Sequence, residues 1–326
     1  MSRIAVVGTG AWGTALAALY ARSGEEIAFL GRDAGSAAAI NQRHENPRYL
    51  PGIGLPPSIR ATLDPAEALA GADLVLLVIP AQSLAAVAKT LRPHLGADAT
   101  LVLCAKGIER ETGQFPSDLV AEALPDHALA VLSGPSFASD VASGLPTAVT
   151  VAAGDPALAD DLARRLSTET FRCYASDDVR GVEAGGALKN VLALAAGIVA
   201  GRGLGASAGA ALVTRGLNEL RRLGEALGGR PETLMGLSGL GDLVLTCSSP
   251  QSRNFAYGAA LGRGEDRSGL KLAEGVFTAE IAARLAAERG IDAPIVATVS
   301  RVLSAKLGVE EAVQLLLQRP LKREVG

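Results

Sequence analysis

Lys189 and Asn190 interrupt an otherwise apolar stretch, Glu183-Ala-Gly-Gly-Ala-Leu-Lys-Asn-Val-Leu-Ala193. A lysine among Ala, Leu and Val is costly unless it is paired or its proton has a use. Desolvation lowers a lysine's proton affinity, which suits a general acid near neutral pH. The other reading is that the stem lies along a helix and the ammonium reaches water. Gly239-Leu-Gly-Asp242-Leu-Val-Leu-Thr246 sets one carboxylate and one hydroxyl in a glycine-rich, apolar context. That carboxylate needs a cation, and Lys189 is a candidate. Ser252-Arg253-Asn254 follows Pro250-Gln251. Serine at a helix start with Arg and Asn in the first turn makes a small phosphate cup. Simple capping explains Ser252 equally well. It does not explain Arg253, because a cation in the first turn opposes the helix dipole.

A second set of residues sits at strand ends. The apolar run Ile4 to Val7 meets Gly8-x-Gly10-x-x-Gly13 and then a helical Ala/Leu run, Ala15 to Ala21. A strand, a glycine turn and a helix start in that order form a dinucleotide pyrophosphate site. Gly8 permits the tight turn, Gly10 lets the backbone approach phosphate, and Gly13 lets the helix pack on the strand. The next strand ends in Leu30-Gly-Arg32-Asp33. Arg32 suits a ribose 2′-phosphate, which favours NADP(H), while Asp33 one residue later keeps NAD(H) open. Lys106 follows Leu101-Val-Leu-Cys-Ala105 and lies at the mouth of the same crevice, where it suits a phosphate or a carbonyl, or is simply a surface lysine. Ser133-Gly134-Pro135-Ser136-Phe137-Ala138 is either a close backbone approach to a ligand or a plain tight turn.

These residues need elements to carry them. Strand-like runs at 27–30, 74–79, 101–104, 129–132, 147–152 and 171–174 alternate with helical segments such as 84–91 and 157–166. The runs are apolar throughout, as expected of parallel strands covered on both faces. This pattern predicts an α/β, Rossmann-type doubly wound sheet. The texture changes at Ser176-Asp-Asp178. Beyond Val182 only Ala/Leu-rich helical stretches appear (188–199, 212–227, 279–289, 295–303), so an all-α C-terminal domain is expected. The boundary falls near 176–182, giving a dinucleotide-binding domain over 1–178 and a helical substrate-binding domain over 179–326.

The 326 residues, 48% apolar and 20% charged, match two ordinary globular domains. A net charge of −3 gives no general attraction for nucleic acid or anionic membrane. Apolar stretches are broken before membrane-spanning length, so no membrane insertion is expected. Met1-Ser-Arg3 runs straight into the first strand, so no secretory signal is expected. Cys104, Cys173 and Cys247 fit neither a metal cluster nor a disulfide framework, so reduced cysteines in a cytoplasmic protein and no metal are expected. His44, His94 and His127 sit in polar or proline-flanked contexts that suit surface or structural roles. The Ala/Leu-rich helices offer surfaces for a homodimer.

Taken together, the segments resemble the bacterial NAD(P)-dependent glycerol-3-phosphate dehydrogenase family over nearly the whole chain. The resemblance is carried, in order, by Gly8-Thr-Gly-Ala-Trp-Gly-Thr-Ala-Leu-Ala17, His44-Glu-Asn-Pro-Arg-Tyr-Leu-Pro51, Ala105-Lys-Gly-Ile-Glu109 and Ser133-Gly-Pro-Ser-Phe-Ala138. It continues through Gly186-Ala-Leu-Lys-Asn190, Gly236-Leu-Ser-Gly-Leu-Gly-Asp-Leu243, Thr246-Cys247, Ser252-Arg-Asn254 and Glu274-Gly275. It implies reduction of dihydroxyacetone phosphate to sn-glycerol 3-phosphate, the backbone of glycerophospholipids. It also implies Lys189 as general acid/base with Lys106, Asp242, Asn190 and Thr246 as polar neighbours. Implied substrate contacts are Lys106, Gly134, Ser136, Lys189, Asp242, Ser252, Arg253 and Asn254. Beyond the glycine turn, implied cofactor contacts are Trp12, Arg32, Lys106, Ala138, Arg253, Leu272 and Glu274. Two other functions share this architecture: another dehydrogenase of a small hydroxy acid, and a non-catalytic NADPH-binding sensor. The phosphate cup speaks against the first. The second gives no reason to keep Lys189, Asp242 and Arg253 together.

Overall fold

The computed structural model describes residues 3–266, 269–270 and 273–318. Its first half is built on one eight-stranded sheet in the order Phe171–Ser176, Thr147–Ala153, Leu129–Ser133, Thr100–Leu103, Leu74–Leu77, Arg3–Val7, Glu26–Leu30, Arg60–Thr62. Alternate residues of the inner strands feed opposite faces. Ile4, Val6, Leu74 and Leu76 pack under the helices Ala11–Arg22 and Pro156–Leu166. Ala5, Val7, Val75 and Leu77 pack under Ala81–Leu91 and Pro116–Ala123. Burial on both faces is why these strands read as unbroken apolar runs. The chain runs outward from Arg3–Val7 to Arg60–Thr62, then returns to Leu74–Leu77 on the other side of the first strand. That reversal places the glycine turn at a topological switch point, where α/β sheets bind ligands.

The sheet is not parallel throughout, as the apolar runs had suggested. Thr147–Ala153 runs antiparallel to Leu129–Ser133, and Phe171–Ser176 runs parallel to Thr147–Ala153. Between Ser133 and Thr147 the chain forms only the five-residue helix Ala138–Ala142. At about 1.5 Å per residue that helix covers roughly half the length of a five-residue strand. The chain therefore turns back at the same edge instead of crossing over. Sequence reading also passed over the edge strand Arg60–Thr62, the small antiparallel pair Glu45–Asn46 and Leu50–Gly54, and the helices Ala34–Arg43 and Pro116–Ala123. The strands are only two to five residues long, so no period stands out.

The last strand ends at Ser176, and at Val179 a 23-residue helix begins that runs to Gly201. Asp178 caps it, accepting from the Gly181 N–H at 2.9 Å. Among the described residues it is the one helix long and apolar enough to cross a membrane, but 83% of that apolar window is buried inside the protein. It is the core of the helical half, wrapped by Ala206–Ala226, Arg253–Arg263, Glu274–Glu288 and Pro294–Leu303. Helix Arg253–Arg263 crosses it almost backbone to backbone. A Cβ on Gly197 would stand 2.1 Å from the Phe255 carbonyl oxygen, and one on Gly258 would stand 2.1 Å from that of Leu194.

That crossing fixes the sign of a substitution. Helix propensity alone makes Gly→Ala stabilising by about 1 kcal/mol. At Gly258 the added methyl must push two helices apart, a strain of about 1–3 kcal/mol or more. Gly258→Ala should therefore lower the denaturant midpoint in equilibrium unfolding; an unchanged or raised midpoint would refute the crossing.

Candidate active site

The glycine turn is shaped by its own neighbours. Gly8 has φ +114°, and a Cβ there would meet the Val78 carbonyl oxygen at 2.3 Å, while one on Gly13 would lie 1.9 Å from the Gly8 oxygen. Gly10 differs: a Cβ on it would have no atom within 4 Å. Gly10 is also the N-cap of Ala11–Arg22 and offers no side chain to the first turn, whose N–H groups point outward uncapped. The turn thus presents free backbone donors across open space, as an anion requires. Trp12 leans on Phe171 with ring centroids 6.4 Å apart, and its Nε1 is buried without a partner. Ala138 begins the short helix beside it and packs on the same core. Arg32 is exposed after the second strand and makes no hydrogen bond or ion pair. Asp33 caps the next helix, accepting from Ser36 N and Oγ at 2.7 Å each. Those bonds hold its carboxyl below the usual range and engage the group that had kept NAD(H) open.

The centre of the site is a buried ion triad. Asp242 is 2% exposed and Lys189 5% exposed. Lys106 Nζ lies 2.8 Å from Asp242 Oδ2, and Lys189 Nζ lies 2.9 Å from Oδ1. Lys189 Nζ also donates to Thr246 Oγ1 at 2.8 Å, and that hydroxyl donates to Asp242 Oδ1 at 3.1 Å. Burial alone would push Asp242 up, but the two ammonium groups outweigh it and hold the carboxyl below its ordinary value. For Lys189 burial wins: desolvation lowers its proton affinity, and the attraction of Asp242 only partly restores it. Lys189 is therefore not reaching water along its helix. Lys106 is not a plain surface lysine either, since it also donates to the Gly134 carbonyl oxygen at 2.8 Å.

Local sequence explains how these groups meet. Lys189 faces inward from the middle of the core helix. Asp242 opens the helix Asp242–Cys247 after a π-helical turn, Leu237–Gly241. Gly239 lets that turn close, since a Cβ there would meet the Leu234 oxygen at 1.9 Å. A Cβ on Gly185 would meet the Ser238 oxygen at 2.9 Å, so Gly185 lets the turn press flat on the core helix. Gly134, at φ +143°, owes its identity to packing: its Cβ would stand 2.9 Å from Val149 Cα. Its carbonyl still serves the site, accepting from Ser136 Oγ at 3.1 Å as well as from Lys106.

An amide chain braces the triad. Asn190 Nδ2 donates to the Lys106 carbonyl oxygen at 3.0 Å, and its Oδ1 accepts from Asn254 Nδ2 at 2.9 Å. Asn254 Oδ1 in turn accepts from the Gly275 N–H at 2.9 Å. Ser252 is buried and caps Arg253–Arg263, accepting from the Phe255 N–H at 3.2 Å, so the capping reading holds for its side chain. Arg253 beside it is exposed and makes no hydrogen bond or ion pair. Glu274 starts the helix Glu274–Glu288 near Gly107; desolvation raises its proton affinity against the pull of Arg253, Lys189 and Lys106. Lys106, Gly134, Ser136, Lys189, Asn190, Asp242, Thr246 and Asn254 are thus linked by hydrogen bonds, with Arg253 and Glu274 at the edge. Gly8, Gly10, Trp12, Gly13, Arg32 and Ala138 form a separate group around the first turn. Leu272 lies outside the described residues.

Gln82 is not among the residues singled out from the sequence. Its Nε2 donates to the Ile108 oxygen at 2.7 Å and its Oε1 accepts from the Arg110 N–H at 3.0 Å, which fixes the loop after Lys106. A glutamine one turn after a buried strand end was the signal. Among the described residues no group of three or more His, Cys, Asp or Glu side chains could hold a metal ion.

Comparison with known proteins agrees with this geometry. The family model described as NAD-dependent glycerol-3-phosphate dehydrogenase N-terminus matches residues 3–159, and the C-terminus model matches residues 178–314. A glycerol-3-phosphate dehydrogenase (NAD(P)+) of Chelativorans sp. (strain BNC1) is 62% identical over 321 residues, covering 98% of each chain. One of Mesorhizobium japonicum is 61% identical over 324 residues, covering 99% of this chain and 94% of the relative. The crystal structure of glycerol-3-phosphate dehydrogenase from Coxiella burnetii superposes with a TM-score of 0.93 at 39% identity, covering 98% of this chain and 99% of that one. The chain belongs to the NAD(P)-dependent glycerol-3-phosphate dehydrogenase family.

Proposed function

We propose that this chain reduces dihydroxyacetone phosphate to sn-glycerol 3-phosphate, reversibly, and so supplies the backbone of glycerophospholipids. The observation that carries this is Asp242 held between Lys189 and Lys106, an acid and a second cation converging on one buried carboxylate. Residues 1–178 bind the dinucleotide, and residues 179–326 bind substrate and supply the acid. The residues at the glycine turn fit the cofactor: Gly10 leaves space, the first-turn donors are uncapped, and Trp12 Nε1 is an unpaired buried donor. NADP(H) is the preferred form and NAD(H) is also used. Arg32 stands free at the ribose end, whereas Asp33 is engaged with Ser36.

The nicotinamide supplies hydride to the ketone carbon when bound. The chain's residues manage the charge that this creates on the carbonyl oxygen. Lys189 Nζ donates the proton to that oxygen, and its lowered proton affinity makes the donation easier. Lys106, fixed by Asp242 and the Gly134 carbonyl, aims a second positive charge at the same developing oxyanion. Thr246 ties Lys189 to Asp242, and Asn190 holds the Lys106 backbone against the core helix. Arg253 and the backbone after Ser252 bind the phosphate, with Asn254 and Ser136 lining its approach. Binding energy from that remote group then positions the reacting carbon. Glu274 closes the cofactor side near Lys106 and Gly107. The three cysteines are free and buried, which supports a reducing, cytoplasmic setting. Exposed Leu204, Met235 and Val244 on the helical half support a homodimer.

The activity is tested by NADPH oxidation at saturating cofactor. Dihydroxyacetone phosphate should turn over and unphosphorylated dihydroxyacetone should not, and Arg253→Ala should raise KM for the phosphorylated ketone by about tenfold or more with a smaller effect on kcat. Equal rates on both ketones, or an unchanged KM in the variant, would overturn the phosphate assignment. Lys189→Ala should cut kcat by about 10²–10⁴-fold while NADPH still binds. Turnover near the parent rate would remove Lys189 from the chemistry.

A further inference from the structure

The segment His44-Glu-Asn-Pro-Arg-Tyr has no part in the site described above, yet Asn46 within it is wholly buried, at 0% exposure. Its Nδ2 donates to the Thr9 carbonyl oxygen at 3.0 Å and to Thr14 Oγ1 at 2.8 Å. Thr9 lies inside the glycine turn, between Gly8 and Gly10. Thr14 is on the first turn of the following helix and donates through Oγ1 to the Gly10 oxygen at 2.8 Å. One carboxamide thus grips both sides of the turn that presents the free backbone donors.

Packing alone does not account for this asparagine. Its Oδ1 is buried with no partner. Such an orphan is destabilising, a cost that an apolar residue of similar size would avoid. Exchanging the amide's oxygen and nitrogen would set two acceptors face to face at Thr9, so the donor role is fixed by its surroundings. The backbone that delivers Asn46 is also strained. His44 takes a left-handed φ of 52°, and the pairing of Glu45–Asn46 with Leu50–Gly54 is irregular between Glu45 and Asn46. The Leu55 N–H donates to the His44 oxygen at 2.8 Å and pins that corner. Strain and an orphaned acceptor at one corner mark a place where the surrounding structure enforces a particular geometry.

We propose that Asn46 is a positioning residue for the dinucleotide. It locks the Thr9–Thr14 turn so that the donors after Gly10 stay aimed at the pyrophosphate. This rests on the cofactor assignment of the glycine turn given above. Because NADPH and NADH share the pyrophosphate, the lock acts on both alike, unlike Arg32 at the ribose end.

The test is fluorescence titration of NADPH and NADH, with steady-state kinetics alongside, on the full-length protein, Asn46→Ala and Thr14→Val. Thr14→Val keeps the side-chain shape and removes only the shared hydroxyl, and thermal unfolding shows that each variant is folded. Each variant should weaken both dinucleotides by about tenfold and to the same degree, with kcat at saturating cofactor and KM for dihydroxyacetone phosphate changed far less. Unchanged affinity in both variants, a loss confined to NADPH, or a fall in kcat without a fall in affinity would overturn the proposal. Parent protein that binds neither dinucleotide would overturn the cofactor assignment instead.

Discussion

One buried carboxylate organises this molecule. Asp242 sits almost out of reach of water with an ammonium on each oxygen, one from each half of the chain. An isolated carboxylate there would be several kcal/mol too costly to keep ionised, and so would an isolated Lys189. Each charge is tolerable only because the others are present. The helical half therefore cannot hold its acid in place without Lys106 from the sheet, and Lys106 would have no fixed position without Asp242. The contact that assembles the site also docks the two halves.

The rest of the fold serves that contact. The strand Thr100–Leu103 delivers Lys106 to the switch-point edge, the core helix presents Lys189 from its middle, and a π-helical turn swings Asp242 between them. Glycines are placed where backbones must touch, at Gly185 and Gly239 under the turn and at Gly197 and Gly258 where helices cross. The amide chain through Asn190 and Asn254 extends the same order to Gly275 beside Glu274, so the helix Glu274–Glu288 is in register with the core helix that carries Lys189. Arg253 and Arg32 are exposed and make no hydrogen bond or ion pair with a described residue. In the function proposed above, those two side chains supply the charges for the substrate phosphate and the ribose 2′-phosphate.

Much of this was legible from residue types. A glycine turn after an apolar strand, a lysine in an apolar helix and an arginine in a helix's first turn each break a local rule, and such breaks mark function. Other features were hidden. Antiparallel Thr147–Ala153 looks like its parallel neighbours because both are buried on two faces. Asn46 and Gln82 are ordinary polar residues until the fold shows which backbone atoms they hold. The pairing of Lys106 with Asp242 spans 136 positions, and no local pattern encodes it. Gly134 is also required by packing on Val149, a reason that no local pattern shows.

The pH dependence of ketone reduction tests the triad most directly. With Lys189 as the proton donor proposed above, kcat falls as pH rises through its pKa, which burial has already brought below that of an ordinary lysine. Asp242 opposes that shift; Asp242→Asn removes the opposition and leaves Lys189 still desolvated. The alkaline limb of kcat should then move to lower pH by about one unit or more in Asp242→Asn relative to the parent. A limb that stays in place, or moves to higher pH, would contradict a triad in which Asp242 keeps Lys189 charged.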